Sequence, residues 1–337
     1  MPTAIHAQSL SKTYRTRIKD EGLSGAIKAL VKPRYREVKA VDNIDLHISK
    51  GELVAFIGPN GAGKSTFIKM LCGILYPTSG EVSVLGYSPV KDRQRLAMHI
   101  GTVFGHKSQL WLHLPAVDSF TLLGAIYEIE RTTLKKRVAE LSERFSLESF
   151  LDIPVRKLSL GQRIRCEVAA SLLHEPELLF LDEPTIGLDV VAKQAIRELV
   201  LTLNKEKGTT VFLTSHDPAD IERLCERAVV IDNGRVVMDS PVEQMAKGYL
   251  GSKMVNISFS VPMVVPAMPG VEVATGDGGL SASLSVNTNL VPIAKVMEQL
   301  AALSMGGVTD ITIADPPMEE IIAAIFKSQE GGANNGQ

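Results

Sequence analysis

Residues 58–66 of the 337-residue chain read GPNGAGKST and match the pattern G-x-x-x-x-G-K-[ST]. The apolar run LVAFI precedes them and FIKMLCGIL, with helical spacing, follows, so strand, glycine turn and helix stand in the order that phosphate binding requires. Gly58, Pro59, Asn60, Gly61, Ala62 and Gly63 make the turn, and Thr66 completes the motif. Gly61 and Gly63 let backbone N–H groups close on phosphate oxygens with no side chain in the way. Lys64 is placed to reach the β- and γ-phosphates, and the Ser65 hydroxyl to hold Mg²⁺. The chemistry is that of a nucleoside-triphosphate site.

Two further runs supply what phosphoryl transfer needs. LLFLDEP (178–184) is an apolar strand ending in two acids. Carboxylates are costly to bury, so Asp182 and Glu183 should emerge at its carboxyl end, which in a parallel sheet faces the ligand crevice. Asp182 would bind Mg²⁺, directly or through water, and Glu183 would polarise the attacking water. VFLTSHD (211–217) repeats the geometry and puts His216 within reach of a γ-phosphate. RKLSLGQR (156–163) adds a second anion cradle, a Ser/Gly turn opening a helix-like stretch whose first N–H groups point outward.

The elements that must hold these residues are legible as patterns. The apolar runs at 53–58, 178–181, 211–214 and 229–231 read as buried strands with helical patterns between several of them, which predicts a layered, largely parallel α/β core. VVIDNGRVVMDS (229–240) reads as a hairpin turning at Asn233-Gly234. Residues 15–39 hold eight Lys/Arg against three Asp/Glu, with Leu23, Ile27, Leu30 and Val31 on one helical face. They are either a solvated insertion with a weak helix or a basic patch that touches anionic lipid or a membrane partner. MVNISFSV and GLSASLSV alternate like strands, VPIAKVMEQLAAL is helical, GVTDITIA is a strand and PPMEEIIAAIF a closing helix. These predict a small α+β unit over 250–328, followed by a disordered tail at 329–337.

Apolar residues make up 45% of the chain, enough for a full core, and a net charge of −2 gives no global field for nucleic acid, so no nucleic-acid partner is expected. Cys72, Cys166 and Cys225 are too widely spaced for a metal pair or a disulfide framework, which suits a reducing compartment. MPTAIHAQSL lacks the form of a signal peptide, and no apolar stretch is long enough to span a bilayer. The chain is therefore not expected to cross a membrane by itself.

The P-loop, LSLGQ, LLFLDEP and LTSH, in this order, resemble the ATP-binding subunit of ABC transporters over residues 3–245. The resemblance implies a P-loop NTPase (ABC ATPase) core with a mixed, largely parallel sheet, a helical subdomain over about 88–170, and ATP with Mg²⁺ as ligands. It makes Gln109, in FGHKSQLW, the Q-loop glutamine that links nucleotide and Mg²⁺ to a membrane partner. It makes Tyr14, in LSKTY, the aromatic that stacks on adenine, with Tyr35 as a competitor and a core-packed strand aromatic as the other reading. Asp189, in GLD (187–189), falls near a subunit interface. Ser159, Leu160, Gly161 and Gln162 correspond to the signature that completes the partner subunit's ATP site, in domains that pair head to tail. Leu160 stands where the family usually has glycine, while Ser159 and Gly161 are retained.

With a single set of motifs, a homodimer is the simplest assembly and a pair with a related ATPase the next. WLHLPAVDSFTLL is expected to form the groove for a permease helix, with Trp111 either in that groove or in the subdomain core. The unit after 250 is similar to carboxy-terminal extensions of exporter-type ATPases. That implies export, with the protein peripheral on the cytoplasmic face of the inner membrane. The rival readings are an importer ATPase and a soluble ABC ATPase on ribosomes or nucleic acid, which usually carries two cassettes. A GTPase would want Asn-Lys-x-Asp where NKEK (204–207) stands, and a small-molecule kinase has no need of LSLGQ.

Overall fold

The computed structural model describes residues 2–17, 35–105, 108–215, 217–248, 252–303, 307–316 and 318–333. The chain parts after Asp239 into two compact units. The first begins with β1 (Thr3–Arg17), β2 (Tyr35–Ser49), β3 (Leu53–Ile57), α1 (Lys64–Leu71), β4 (Ser79–Val84), α2 (Arg93–Ala97) and β5 (Ile100–Phe104). It continues through α3 (Ala116–Ile126), α4 (Arg131–Phe145), α5 (Leu160–Leu172), β6 (Leu178–Asp182) and α6 (Val190–Lys207). It closes with β7 (Thr210–Thr214), α7 (Pro218–Leu224), β8 (Arg227–Asp232) and β9 (Arg235–Pro241).

The main sheet runs β5-β6-β7-β3-β8-β9, with neighbours parallel from β5 to β8. Every residue of β3 and of β7 is buried, as expected of strands covered on both faces. Phe56 of β3 lies 5.1 Å from Phe67 of α1 and 5.2 Å from Phe212 of β7, ring centre to ring centre, so an aromatic cluster seats α1 on the sheet. The β8–β9 hairpin turns at Asn233 and Gly234, whose φ values of 46° and 79° are those of a type I′ turn. A separate antiparallel sheet, β2-β1-β4, buries Val41, Ile44, Leu46 and Ile48 of β2 on one face.

Two features differ from expectation. β5 is a core strand inside the span assigned to the helical subdomain, which begins in practice with α3. Its glycine hid it: a Cβ at Gly101 would lie 2.6 Å from the Ser171 carbonyl, so close packing of α5 thins the apolar run there. The basic insertion lies mostly at 18–34, outside the described residues. Its flanks are paired strand, with Arg17 opposite Tyr35 and an exposed Arg15–Glu37 ion pair at 2.7 Å.

The second unit contains α8 (Val242–Gly248), β10 (Ser252–Phe259), β11 (Val271–Gly276), β12 (Ser281–Asn287), α9 (Ile293–Leu303), β13 (Val308–Ala314) and α10 (Met318–Ala333). Its antiparallel sheet, β11-β12-β10-β13, buries Val255, Ile257, Leu284 and Val286 with Val296 and Leu300 of α9. The parting after Asp239 falls before the expected 245–250 because α8 packs with α10 in this unit. Helix α10 reaches Ala333, so 329–333 are helical rather than tail, with Gln329 and Glu330 carrying the helix on. No helix among the described residues is long and apolar enough to cross a membrane.

Candidate nucleotide site

The turn between β3 and α1 is shaped by its close contacts. Gly63 has φ 106°, and a Cβ there would sit 2.1 Å from the Ala40 carbonyl, so only glycine lets the turn pass β2 this closely. The Lys64 ammonium donates to the carbonyls of Gly58 at 2.6 Å and Pro59 at 3.1 Å, folded back over the loop. Burial pulls its pKa below the ordinary lysine value, opposed by the charges of Glu183 and Asp182. Turn, lysine and acids line one open cleft of about 470 Å³, with Asn60, Gly61 and Thr66 on its wall.

Asp182 closes β6 and is held on both oxygens. Ser65 Oγ donates to Oδ2 at 3.0 Å and Thr214 Oγ1 to Oδ1 at 2.6 Å. A hydroxyl and a carboxylate together, both hard oxygen donors beside a phosphate turn, fit Mg²⁺. Glu183 follows with φ 55°, a left-handed conformation that costs a glutamate about 1–2 kcal/mol. Its N–H donates to the Thr214 carbonyl at 3.0 Å and lies 3.1 Å from Thr214 Oγ1, which holds the turn that delivers the side chain to the cleft. Thr214 thus positions both acids. The signal for it was a hydroxyl residue at the very end of an apolar strand.

His216 lies outside the described residues. Its neighbours are anchored: Ser215 Oγ donates to Asp220 Oδ2 at 2.7 Å, and Thr185 Oγ1 donates to the same carboxylate. Asp220, fully buried, pairs with Arg197 of α6 at 2.6 Å. Asp220 therefore ties the turn after β6 and the end of β7 to one helix. Asp189 caps α6, accepting from Ala192 N at 2.8 Å, and Val190 and Val191 beside it are each 80% exposed.

Gln109 is not brought into the cleft. Its side-chain amide donates to the Glu167 carbonyl at 2.9 Å and its backbone N–H to Glu167 Oε2 at 3.1 Å, so it is held on α5 instead of reaching towards Ser65 and Asp182. The sequence could not reveal this, because Glu167 reads as one acid in a helix. Tyr14 is 38% exposed rather than core-packed. It pairs with Val38, two residues from the cleft-lining Ala40, and Lys12 Nζ stands 5.5 Å from its ring centre. Tyr35 pairs farther out, opposite Arg17. Trp111 is 40% exposed, with its backbone N–H on Ser119 Oγ at 3.2 Å.

Ser159 and Gln162 form a capping box at the start of α5. Ser159 Oγ accepts from Gln162 N at 3.2 Å, and Gln162 Oε1 accepts from Ser159 N at 2.9 Å. Leu160 is the first helical residue with an ordinary negative φ, so leucine in place of glycine strains nothing there. Its Cδ2 packs over Gly187, where an added Cβ would lie 2.7 Å away. Gly161 is helical too, and a Cβ on it would meet only Leu188, at 3.6 Å. None of these four residues lines the P-loop cleft of its own chain.

The family profile described as ABC transporter matches residues 41–186. The chain is 31% identical to the daunorubicin resistance ATP-binding protein DrrA3 of Streptomyces coeruleorubidus, over 86% of this chain and 91% of that protein. It is 35% identical to the Nod factor export ATP-binding protein I of Cupriavidus metallidurans, over 67% of this chain and 74% of that one. Among solved structures it is similar to a dimeric ATP-binding cassette in a post-hydrolysis state bound to ADP and Pi, with a TM-score of 0.59 and 27% identity over 71% of this chain and 98% of that one. With its phosphate turn, its paired acids and these relatives together, the chain belongs to the ABC transporter family as an ATP-hydrolysing, ATP-binding subunit.

Proposed function

We propose that the protein drives an export permease by closing and opening a head-to-tail homodimer around two ATP molecules. One observation carries this reading: the P-loop cleft and the signature are both well formed, yet the signature does not line the cleft of its own chain. A second copy supplies it, with Ser159 and Gly161 facing the γ-phosphate held by the other subunit's Lys64. Similarity to a dimeric cassette supports the pairing, and the apolar Leu160, Ile186, Val190 and Val191, exposed around signature and D-loop, suit burial against a partner.

In this assembly Tyr14 stacks on adenine and Lys64 neutralises phosphate charge. Ser65 and Asp182 would hold Mg²⁺, which supplies charge neutralisation between the phosphates when bound. Glu183 takes a proton from the attacking water while Thr214 keeps its backbone fixed. His216 senses the γ-phosphate, and Asp189 stands at the subunit interface. Exposed Trp111 and Leu112, which follow Gln109 closely in the chain, offer the permease an apolar ledge. The names of the export and resistance relatives favour outward transport, and the match to DrrA3 covers more of the chain than the first unit alone supplies, consistent with a shared carboxy-terminal extension. The protein then sits peripherally on the cytoplasmic face of the membrane.

Gly161 tests the shared site. Within its own chain a methyl group is tolerated, and alanine is the better helix former, so Gly161→Ala should hold or raise stability, by up to about 1 kcal/mol. ATP turnover should nevertheless fall about tenfold or more, because the added Cβ obstructs the partner's phosphate. Chemical denaturation and steady-state ATPase assays on one preparation separate the two effects. Purification of the full chain from detergent-solubilised membranes tests the permease. A multi-spanning protein should co-purify, whereas recovery with ribosomes would replace this reading by the soluble one.

A further inference from the structure

The signature helix carries a buried carboxylate, Glu167, that the family motifs leave unassigned. Glu167 is two turns along α5 from Leu160, and it is only 5% exposed. Its carboxylate accepts from Ser108 Oγ and from Gln109 N, while its backbone carbonyl accepts the Gln109 side-chain amide. Ser108 Oγ also accepts from Leu110 N at 3.1 Å, which closes the turn. Burial pushes the Glu167 pKa up, opposed by these donors. A buried carboxyl with several donors supplied by one turn fixes that turn firmly, because releasing it would strand each group without a partner.

The chain on either side of this clasp is also tied down. Upstream, Gly105 N donates to the Asp182 carbonyl at 3.0 Å, so Gly105 moves with the acids of the nucleotide cleft. Only residues 106 and 107 separate Gly105 from Ser108 in the sequence. Downstream, Arg156 N donates to Leu112 O at 2.9 Å and Val155 N to Leu114 O at 3.0 Å, three and four residues before Ser159. The segment 108–114 is thus bonded to α5 at Glu167 and to the turn that feeds α5 at 155–156. It carries the exposed Trp111 and Leu112.

We propose that Glu167 is a positioning residue whose clasp on Ser108 and Gln109 makes the Trp111 surface and the signature helix move as one body when the Asp182–Glu183 cleft takes up nucleotide. The inference rests on the ATP-site reading above and deepens it by naming the group that holds Gln109. Glu167 does not line the cleft, so its effect is carried through position alone. The unit that moves is α5 with its clasped segment, and Gly105, bonded to the Asp182 carbonyl, ties that segment to the cleft.

Trp111 is the chain's only tryptophan and sits two residues from Gln109, so its fluorescence reports the clasped segment directly. The experiment titrates the full-length protein with ATP and Mg²⁺, recording Trp111 emission alongside nucleotide affinity by calorimetry and ATPase kinetics. The wild type should show an ATP-dependent emission change. Glu167→Ala should bind ATP within about twofold of wild type yet lose most of that change, with kcat down about tenfold and KM little altered. Glu167→Gln, whose amide oxygen can still accept from Gln109 N while its NH₂ donates to Ser108 Oγ, should restore the response. Should Glu167→Ala fold poorly, Ser108→Ala removes one donor outside the helix and should weaken the response in the same direction. An undiminished response in both alanine variants, equal loss in Glu167→Ala and Glu167→Gln, or a silent Trp111 in ATP-bound wild type overturns the clasp. Failure of the wild type to bind ATP would instead overturn the nucleotide site itself.

Discussion

Lys64→Ala should weaken ATP binding at least about a hundredfold while leaving the fold intact. The expected loss follows from taking a desolvated charge away from the phosphates, a change that costs about 2–5 kcal/mol where the pair is buried. The ammonium rests on the Gly58 and Pro59 carbonyls, in a cleft open to water. Water can take over those carbonyls, so stability should change by no more than about 1 kcal/mol. Calorimetric titration with ATP and a thermal melt of the same sample check both halves, and wild-type affinity would remove Lys64 from the phosphate site. The variant also tests sharing between subunits when mixed with Ser159→Arg, which loses its helix cap and places a bulky cation in the signature. Each variant alone should be inactive. In a mixed dimer both defects can fall on one composite site and spare the other, so part of the activity should return. Persistent inactivity in verified mixed dimers would count against a site built from two chains.

The catalytic half of this site was legible because its residues sit at the ends of short, wholly apolar strands. LVAFI, LLFL and VFLT are buried on both faces, and such runs announce themselves without any partner. β1 and β2 were harder. A register shift near Ser9, whose φ is 48°, breaks the apolar alternation of β1 that would have exposed the pair. Gly101 concealed β5 in the same way, by trading a side chain for a close approach of α5. The hold on Gln109 was not legible for a different reason: the group that holds it is a glutamate 58 residues later, whose burial only the fold creates. Leu160, where the family usually has glycine, has an ordinary backbone, and nothing in its own chain requires Gly161 to be glycine.

Glu183→Gln should stop turnover and leave ATP bound. Glutamine keeps the shape of the side chain, and the left-handed turn is held by backbone bonds from residue 183 to Thr214 that the substitution does not touch. The change therefore removes one thing, a carboxylate able to take the proton of the attacking water, and hydrolysis should fall about 10²–10⁴-fold. Binding should hold or tighten, since a negative charge next to the γ-phosphate is gone while Lys64, Ser65 and Asp182 remain in place. With hydrolysis blocked, the closed pair has no route back to the open state, so ATP and Mg²⁺ should convert the chain to a species of doubled mass and ADP should not. Size-exclusion chromatography with light scattering reads that mass, and a phosphate-release assay reads the rate. Turnover near the wild-type rate would take the base role from Glu183. Full inhibition without the mass change would keep that role and discard the nucleotide-driven homodimer, leaving a related ATPase as the partner that completes the site.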